Sequence, residues 1–276
     1  MATKAATTSK KTTVKKSTAA KTRTSVKTAP ATATKNTFVG HVQQSVRTAT
    51  FWRALAAELI GTFLLASVVI AGQGQPIFVL FALVGIVLLV GAVSGAHVNP
   101  AITIGAWATR RIGWLRAVGY ILAQFAGAAL AYFAFSYFLG GTAAVSAEAQ
   151  ALGQAAPALF SAADVSLLTG KEWYIFFAEL LGTAILGFAV ANATREVQDR
   201  VAAAFTAGLG IFVALMVAIS AASYVSATAI INPAVALTLQ AYVGTGWSYA
   251  IYMLAPVIGG VAGFVIYDLI RGRSAN

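Results

Sequence analysis

The sequence predicts an all-α membrane protein in which six transmembrane helices and two re-entrant half-helices form an inverted repeat. Three observations predict it: an apolar composition, six hydrophobic runs long enough to cross a bilayer, and two phrases that recur in both halves of the chain. Of the 276 residues, 59% are hydrophobic and 10% are charged, and the mean hydropathy is +0.79. Soluble domains carry about a quarter charged residues, so this composition argues against a soluble globular fold.

Residues 1–50 form a basic segment that we expect to be a disordered cytoplasmic tail. Residues 1–38 hold nine of the nineteen Lys and Arg residues and no Asp or Glu, so they carry +9 of the net charge of +11. Their Thr, Ala, Lys and Ser side chains bury too little apolar surface to offset the entropy of ordering the chain. A solvated tail is the favoured interpretation. Contact with anionic lipid headgroups comes next, and nucleic-acid binding or a targeting role is the least favoured.

Six apolar runs follow the tail, each close to the length of about 20 residues that crosses a bilayer. They are residues 51–72, 77–94, 115–138, 173–193, 201–221 and 247–270. With the N-terminus inside, 18 Lys and Arg residues fall in inside segments and only Lys171 falls outside. The positive-inside rule therefore predicts a multi-pass protein with both termini in the cytoplasm, including residues 272–276. The plasma membrane is the default location, since no organelle signal is evident.

Two phrases mark an internal repeat. Residues 57–62 read Ala-Glu-Leu-Ile-Gly-Thr and residues 178–183 read Ala-Glu-Leu-Leu-Gly-Thr, and each is followed by an Asn-Pro-Ala phrase. The separation from Glu to Asn is 41 residues in the first half and 53 in the second. Each unit, about 51–138 and 173–270, holds three spans. Because three is odd, the second unit enters the membrane from the opposite side, which makes the repeat inverted.

Each Asn-Pro-Ala phrase precedes an apolar stretch too short to cross the membrane, residues 101–108 and 234–242. Asn suits the N-cap and Pro suits the first helical position, so both stretches are predicted to be half-helices. Their N-termini would meet near the membrane centre, where they repel cations. Each Asn oxygen would cap the helix, leaving both amide hydrogens free to face a cavity. The motif residues are Asn99, Pro100, Ala101, Asn232, Pro233 and Ala234.

The paired motifs resemble those of the aquaporin or major intrinsic protein family over about residues 51–271. Residues 94–101 match the first family signature, and further matches are Ala57-Glu58-x-x-Gly61-Thr62, Ala123-Gln124-x-x-Gly127-Ala128 and Pro256-x-x-Gly259-Gly260. The resemblance implies six tilted helices, two half-helices, and one pore per subunit of a homotetramer in the lipid bilayer. It also implies structural roles for the buried polar residues Glu58, Glu179 and Gln124: each carboxylate accepts hydrogen bonds from a re-entrant backbone. Gln124 is expected to form an interhelical hydrogen bond.

The residues before each Asn are expected to be non-helical, so that their carbonyls line the pore as acceptors. These residues are Gly95, Ala96, His97 and Val98 in the first unit and Thr228, Ala229, Ile230 and Ile231 in the second. His97 is interpreted as a loop-bracing or pore-lining residue rather than a metal ligand, because His41 is the only other histidine and cysteines are absent from the sequence. We predict no metal site and no cofactor.

The sequence departs from the family three residues after the second Asn, where most members have Arg and this chain has Val235. In the family that Arg forms a selectivity constriction with three other positions. Counting from the motifs assigns them to Val79, Leu215 and Ala229. The resulting apolar ring would weaken the barrier to cations and hold water poorly.

The favoured interpretation is a passive, single-file channel for water, small neutral solutes or both. A facilitator for glycerol, ammonia or peroxide with little water flux is the alternative that the apolar ring leaves open. A secondary transporter, with the buried carboxylates relaying protons, is also open. So is a closed-pore membrane interaction protein that uses its basic tail. An enzyme is not expected, because the sequence has no Gly-rich phosphate loop, catalytic triad or metal-binding cluster.

Overall fold

The structure, a computed structural model, describes residues 46–196 and 198–272. Residues 1–45 of the tail predicted over residues 1–50, and the C-terminal residues 273–276, therefore lie outside the described residues, and Ala49 and Thr50 belong to the first helix rather than to a disordered tail. In the described part of the chain the regular elements are helices, and six of them are long and apolar enough to cross a membrane. The predicted all-α fold with six candidate spans is confirmed.

The spans lie within a few residues of their predicted positions. The six long helices are α1 (Ala49–Ala71), α2 (Pro76–Ser94), α4 (Trp114–Gly140), α6 (Glu172–Ala193), α7 (Arg200–Ser223) and α9 (Gly246–Arg271). The shorter helices are α3 (Pro100–Ala108), α5 (Ala147–Ala151) and α8 (Pro233–Thr238), and a 3₁₀ turn covers Val165–Leu168. Helix α9 contains a π-helical segment, Ala250–Leu254.

The two half-helices, α3 and α8, end in the same way. The second residue beyond each helix end, Arg110 after α3 and Gln240 after α8, has a positive φ, 62° and 56° respectively. The next N–H donates to a carbonyl five residues back, from Arg111 to Ala106 (2.8 Å) and from Ala241 to Ala236 (2.9 Å). This left-handed C-cap satisfies carbonyls at the helix end. It terminates α8 at Thr238, so the expected helical stretch to residue 242 is too long by about one turn.

The helix packing follows the predicted inverted repeat. In the first unit α1 packs along α2 and α4, and in the second unit α6 packs along α7 and α9. Each half-helix also packs against the third span of the other unit, α3 on α9 and α8 on α4. The half-helices therefore hold the two units together.

Glycines permit the closest helix contacts at matching positions of the two units. A Cβ atom at Gly127 of α4 would lie 2.3 Å from the Leu59 carbonyl oxygen of α1. A Cβ atom at Gly259 of α9 would lie 2.2 Å from the Leu180 carbonyl oxygen of α6. Both distances are far below van der Waals contact, so the helix backbones touch only because these positions lack side chains.

Candidate functional site

The two repeated glutamates bind the backbone of the re-entrant segments. Glu58 accepts hydrogen bonds from the N–H groups of His97 (3.0 Å) and Val98 (2.7 Å). Glu179 accepts from the N–H groups of Ile230 and Ile231, the latter at 2.8 Å. Both carboxylates are fully buried. They supply partners for irregular backbone that would otherwise lack them at membrane depth.

The backbone bends sharply at the residue before each Asn. Val98 has φ 43° and Ile231 has φ 52°, in the left-handed region that β-branched residues avoid. A Cβ atom at Gly61 would lie 2.6 Å from a methyl carbon of Val98, and one at Gly182 would lie 2.8 Å from a methyl carbon of Ile231. The Glu and Gly of each repeated phrase therefore contact the same residue, the one before Asn. The Glu carboxylate accepts the N–H of that residue, and the Gly leaves space for its side chain.

The two asparagines cap the half-helices and cross-link the units. Asn99 Oδ1 accepts from Ala101 N–H (2.9 Å), and Asn232 Oδ1 accepts from the N–H groups of Ala234 (3.0 Å) and Val235 (3.3 Å). Each amide also donates to the opposite segment, from Asn99 Nδ2 to the Ile231 carbonyl and from Asn232 Nδ2 to the Val98 carbonyl, both 2.9 Å.

The cross-links differ from the expectation that both amide hydrogens are free. One hydrogen of each amide is used between the units, because the opposite carbonyl lies within reach. Both asparagines are 2% exposed, so the surface that they offer is small.

Two cavities meet at Asn232. The larger one, about 990 Å³, opens between arginines at the ends of α3, α6 and α7, and we call it the basic cavity. The smaller one, about 240 Å³, is mostly apolar, and we call it the apolar cavity. Leu65, Ile211 and Asn232 line both cavities. The three shared residues show that the two cavities lie next to each other inside the bundle.

All four residues of the predicted constriction line the apolar cavity. Val79, Leu215, Ala229 and Val235 belong to four different elements, and each is at most 7% exposed. The same cavity includes the carbonyl-bearing residues Thr228 and Ile230. The described residues that line it include no Lys or Arg. The four residues that the sequence assigned to a constriction thus line one cavity, and all four side chains are neutral.

The predicted carbonyl residues divide between the two cavities. Gly95, Ala96, His97 and Val98 line the basic cavity, and Thr228, Ala229 and Ile230 line the apolar cavity. Ile231 is fully buried and contributes its carbonyl to Asn99 instead. His97 Nδ1 lies 3.3 Å from Thr103 Oγ1, which braces the ring beside the cavity.

Arginines surround the mouth of the basic cavity. Arg111 Nη2 and Arg195 Nη2 share one carboxylate oxygen of Asp268, at 2.6 and 3.2 Å. Arg111 also donates to the Ala191 carbonyl at 2.9 Å. Arg110 and Arg200 are exposed and line the same mouth. This ion-pair cluster connects the end of α3 to α6 and α9.

Sequence reasoning missed a symmetric pair of tyrosines. Tyr120 donates its hydroxyl to the Ser94 carbonyl (2.7 Å), and Tyr252 donates to the Thr228 carbonyl (2.9 Å). Each tyrosine stands seven residues before the contact glycine of its helix, Gly127 or Gly259. That matched spacing is the signal that could have found them. Thr103 was also missed, and it accepts a hydrogen bond from Gln124 Nε2 at 2.9 Å.

An inverted repeat of membrane helices, with two half-helices meeting between two cavities, defines a membrane transport protein. A family model described as Major intrinsic protein matches residues 45–267. Aquaporin AqpM of Methanothermobacter thermautotrophicus is 32% identical over 201 residues, 70% of this chain and 74% of that protein. Aquaporin Z of Photorhabdus laumondii is 32% identical over 243 residues, 79% of this chain and 97% of that protein.

Among solved structures, the aquaglyceroporin from Plasmodium falciparum has the same fold. The TM-score is 0.60 at 20% sequence identity, and the match covers 80% of this chain and 97% of that one. The chain belongs to the major intrinsic protein family, the family of the aquaporins. It is an integral, multi-pass membrane channel and not an enzyme.

Proposed function

We propose that this channel passes water and small neutral solutes passively, in single file, along the path past Asn99 and Asn232. The observation that supports it most directly is that the two cavities share Leu65, Ile211 and Asn232 at the point where the half-helices meet. The paired Asn-Pro-Ala motifs are the centre of this pore. We assign residues 51–271 to the channel domain and the residues before them to the basic tail.

Charge and hydrogen bonding favour neutral solutes at the pore centre. The N-terminal ends of two half-helices each carry a partial positive charge of roughly half a unit, which opposes the passage of cations. One amide hydrogen of each Asn remains to donate to a solute oxygen, and the neighbouring carbonyls accept from its hydrogens. Water and small alcohols have both kinds of group.

The carboxylates fit a structural role better than proton relay. Glu58 and Glu179 are each occupied by two backbone N–H groups, and both side chains are fully buried. A relay residue needs access to the path, so we assign these carboxylates, with Gln124, to holding the re-entrant segments. This favours a passive channel over a coupled transporter.

The constriction determines which solutes pass. Val79, Leu215, Ala229 and Val235 give a neutral, apolar ring in which a solute finds few hydrogen-bond partners. We therefore propose loose discrimination that admits glycerol-sized solutes, ammonia or peroxide. This apolar lining also favours the second candidate, a facilitator with little water flux, because narrow apolar pores can empty of water.

The assembly and location are part of the same proposal. By family likeness the subunits form a homotetramer in the plasma membrane, each with its own pore. The arginines at the mouth of the basic cavity favour a cytoplasmic position for that mouth, since the cytoplasmic segments of membrane proteins carry an excess of Lys and Arg. The Lys-rich tail would be solvated on that side, with contact to anionic lipid headgroups as the alternative.

Stopped-flow light scattering of proteoliposomes tests the function. We expect vesicles to shrink faster than empty vesicles under an impermeant osmolyte, and to re-swell faster under a glycerol gradient. Fast shrinkage with slow re-swelling would limit the pore to water, and slow shrinkage with fast re-swelling would support the facilitator. Vesicles indistinguishable from empty ones in both assays would contradict the proposal.

Deleting residues 1–38 tests the interaction-protein alternative. The deletion removes nine cations but none of the pore residues, so we expect water flux per subunit to remain within about 30% of the full chain. If instead the full chain carries no flux and the deletion abolishes recruitment to anionic vesicles, the tail is the functional part. The undeleted chain in neutral vesicles is the control.

A further inference from the structure

The long loop between α4 and α6 is attached to the second re-entrant segment. The N–H of Ala162 donates to the Leu239 carbonyl at 2.8 Å, and the N–H of Ala163 donates to Thr228 Oγ1 at 3.0 Å. Leu239 follows the end of α8, and Thr228 lies in the extended segment before it. The loop therefore lies across the end of the molecule that contains the apolar cavity, and it does not project away from that end.

The loop is fixed on both sides of these hydrogen bonds. Val165 and Leu168 are 3% and 6% exposed in the core, and Leu159 is half-buried against the same core. Asp164 accepts from Ser166 N–H at 2.8 Å, which caps the 3₁₀ turn. Hydrogen bonds from Ser166 also hold the pKa of Asp164 below its ordinary value. The residues between 159 and 168 thus have a defined position.

Phe160 lies in this fixed stretch, two residues before Ala162, and its side chain lines the apolar cavity together with Val79 and Val235. Two ring carbons lie 3.0 Å from the position where a Cβ of Gly74 would stand. Gly74, with φ 68°, belongs to the turn between α1 and α2. The ring therefore lies between the loop and this turn, and Phe160 and Gly74 both line the apolar cavity.

We infer that Phe160 is a fifth specificity-determining residue of the constriction, an aromatic ring that narrows the cavity lined by Val79 and Val235. The inference rests on the proposed channel function. A phenyl ring offers no hydrogen-bond donor, so it discriminates by size and shape. Solutes longer than glycerol should be excluded first, and water should be affected least.

A truncation series measures the size filter in proteoliposomes. Phe160→Ala should raise erythritol permeability relative to water by roughly fivefold, with Phe160→Leu intermediate, because the cavity widens. Leu167→Ala is the matched control, since Leu167 is in the same loop and is 82% exposed. An unchanged erythritol-to-water ratio in both Phe160 variants would overturn the assignment.

A labelling experiment separates this inference from the channel function itself. The chain has no cysteine, so Phe160→Cys and Leu167→Cys each carry one reactive thiol. A charged, membrane-impermeant methanethiosulfonate should lower glycerol flux through Phe160→Cys by about half or more and leave Leu167→Cys unchanged. If labelled Phe160→Cys conducts as before, only the assignment fails. If the unmodified protein conducts neither water nor glycerol, the channel function fails and the assignment fails with it.

Discussion

Val98 and Ile231 carry the strain of the site at the residue scale. A β-branched residue held with positive φ costs about 1–3 kcal/mol, and the protein has one in each unit directly before the Asn. The backbone bend at the strained residue directs the following Asn side chain toward a carbonyl of the opposite unit. The carboxylates of Glu58 and Glu179 offset it, because each accepts the N–H of the strained residue.

Replacing the carboxylates tests this compensation. Glu179→Gln leaves one acceptor oxygen and turns an NH₂ group toward a backbone donor. We expect a loss of about 1–3 kcal/mol in the free energy of unfolding. Glu58→Gln should cost at least as much, because Glu58 also accepts from Gln124 Nε2 at 2.8 Å. Thermal unfolding in detergent is the measurement, with the exposed Glu148→Gln as control. A melting temperature for Glu179→Gln equal to that of the control would contradict the compensation.

Val235→Arg tests the constriction at the same scale. Val235 is 2% exposed at the apolar cavity, so an arginine there would bring both bulk and a positive charge into the path. We expect glycerol flux to fall roughly tenfold and water flux to fall less, since larger solutes are excluded first. Val235→Ala, which keeps the lining neutral, should retain glycerol flux. Equal glycerol flux in Val235→Arg and the native protein would mean that the constriction lies elsewhere.

At the element scale, glycines determine how closely the helices pack. Gly127 and Gly259 let α4 touch α1 and let α9 touch α6 at equivalent points of the two units. Gly127→Ala and Gly259→Ala should each lower stability by about 1–3 kcal/mol, because the backbones must separate. Gly85→Ala in α2 is the control, since nothing lies within 4 Å of its added Cβ, and it should be neutral or slightly stabilising.

Thermal unfolding of the three glycine variants, with native protein alongside, checks the expectation. The ordering matters more than the absolute values: both contact-glycine variants should melt below Gly85→Ala. Identical melting temperatures would show that the helices adjust at no cost, and the close approach would then have no role in stability.

Sequence patterns predict the elements unevenly, and the reasons are physical. The spans were predictable because membrane length and apolar composition constrain them. The end of α8 was not, because the left-handed Gln240 that terminates it is not a residue that signals a C-cap by itself. The Ala-rich loop gave no pattern that would indicate Phe160 in the apolar cavity. That position depends on hydrogen bonds to Leu239 and Thr228, partners distant in the sequence.

At the scale of the whole molecule, the two units of the inverted repeat share the same backbone arrangement but differ in their side chains. The Glu, Gly, Tyr and Asn contacts recur in both units, and two repeated phrases were enough to predict that duplication. Around Glu58, however, stand the polar side chains of His97, Thr103 and Gln124, and the corresponding positions of the second unit are Ile230, Ala236 and Pro256. Of these three polar residues only His97 lines the basic cavity, and its counterpart Ile230 lines the apolar cavity.

The two mouths of the path present different side chains to the two compartments. The orientation of the molecule in the membrane therefore affects its function. Arg110 is exposed at the basic mouth, and Lys171 is exposed at the N-terminal end of α6. Since the chain has no cysteine, Arg110→Cys and Lys171→Cys each report one face. In intact cells an impermeant thiol reagent should label Lys171→Cys alone, and Arg110→Cys only after permeabilisation. The reverse pattern would put the basic mouth outside, and a solute entering from outside would then meet the arginines before the apolar ring.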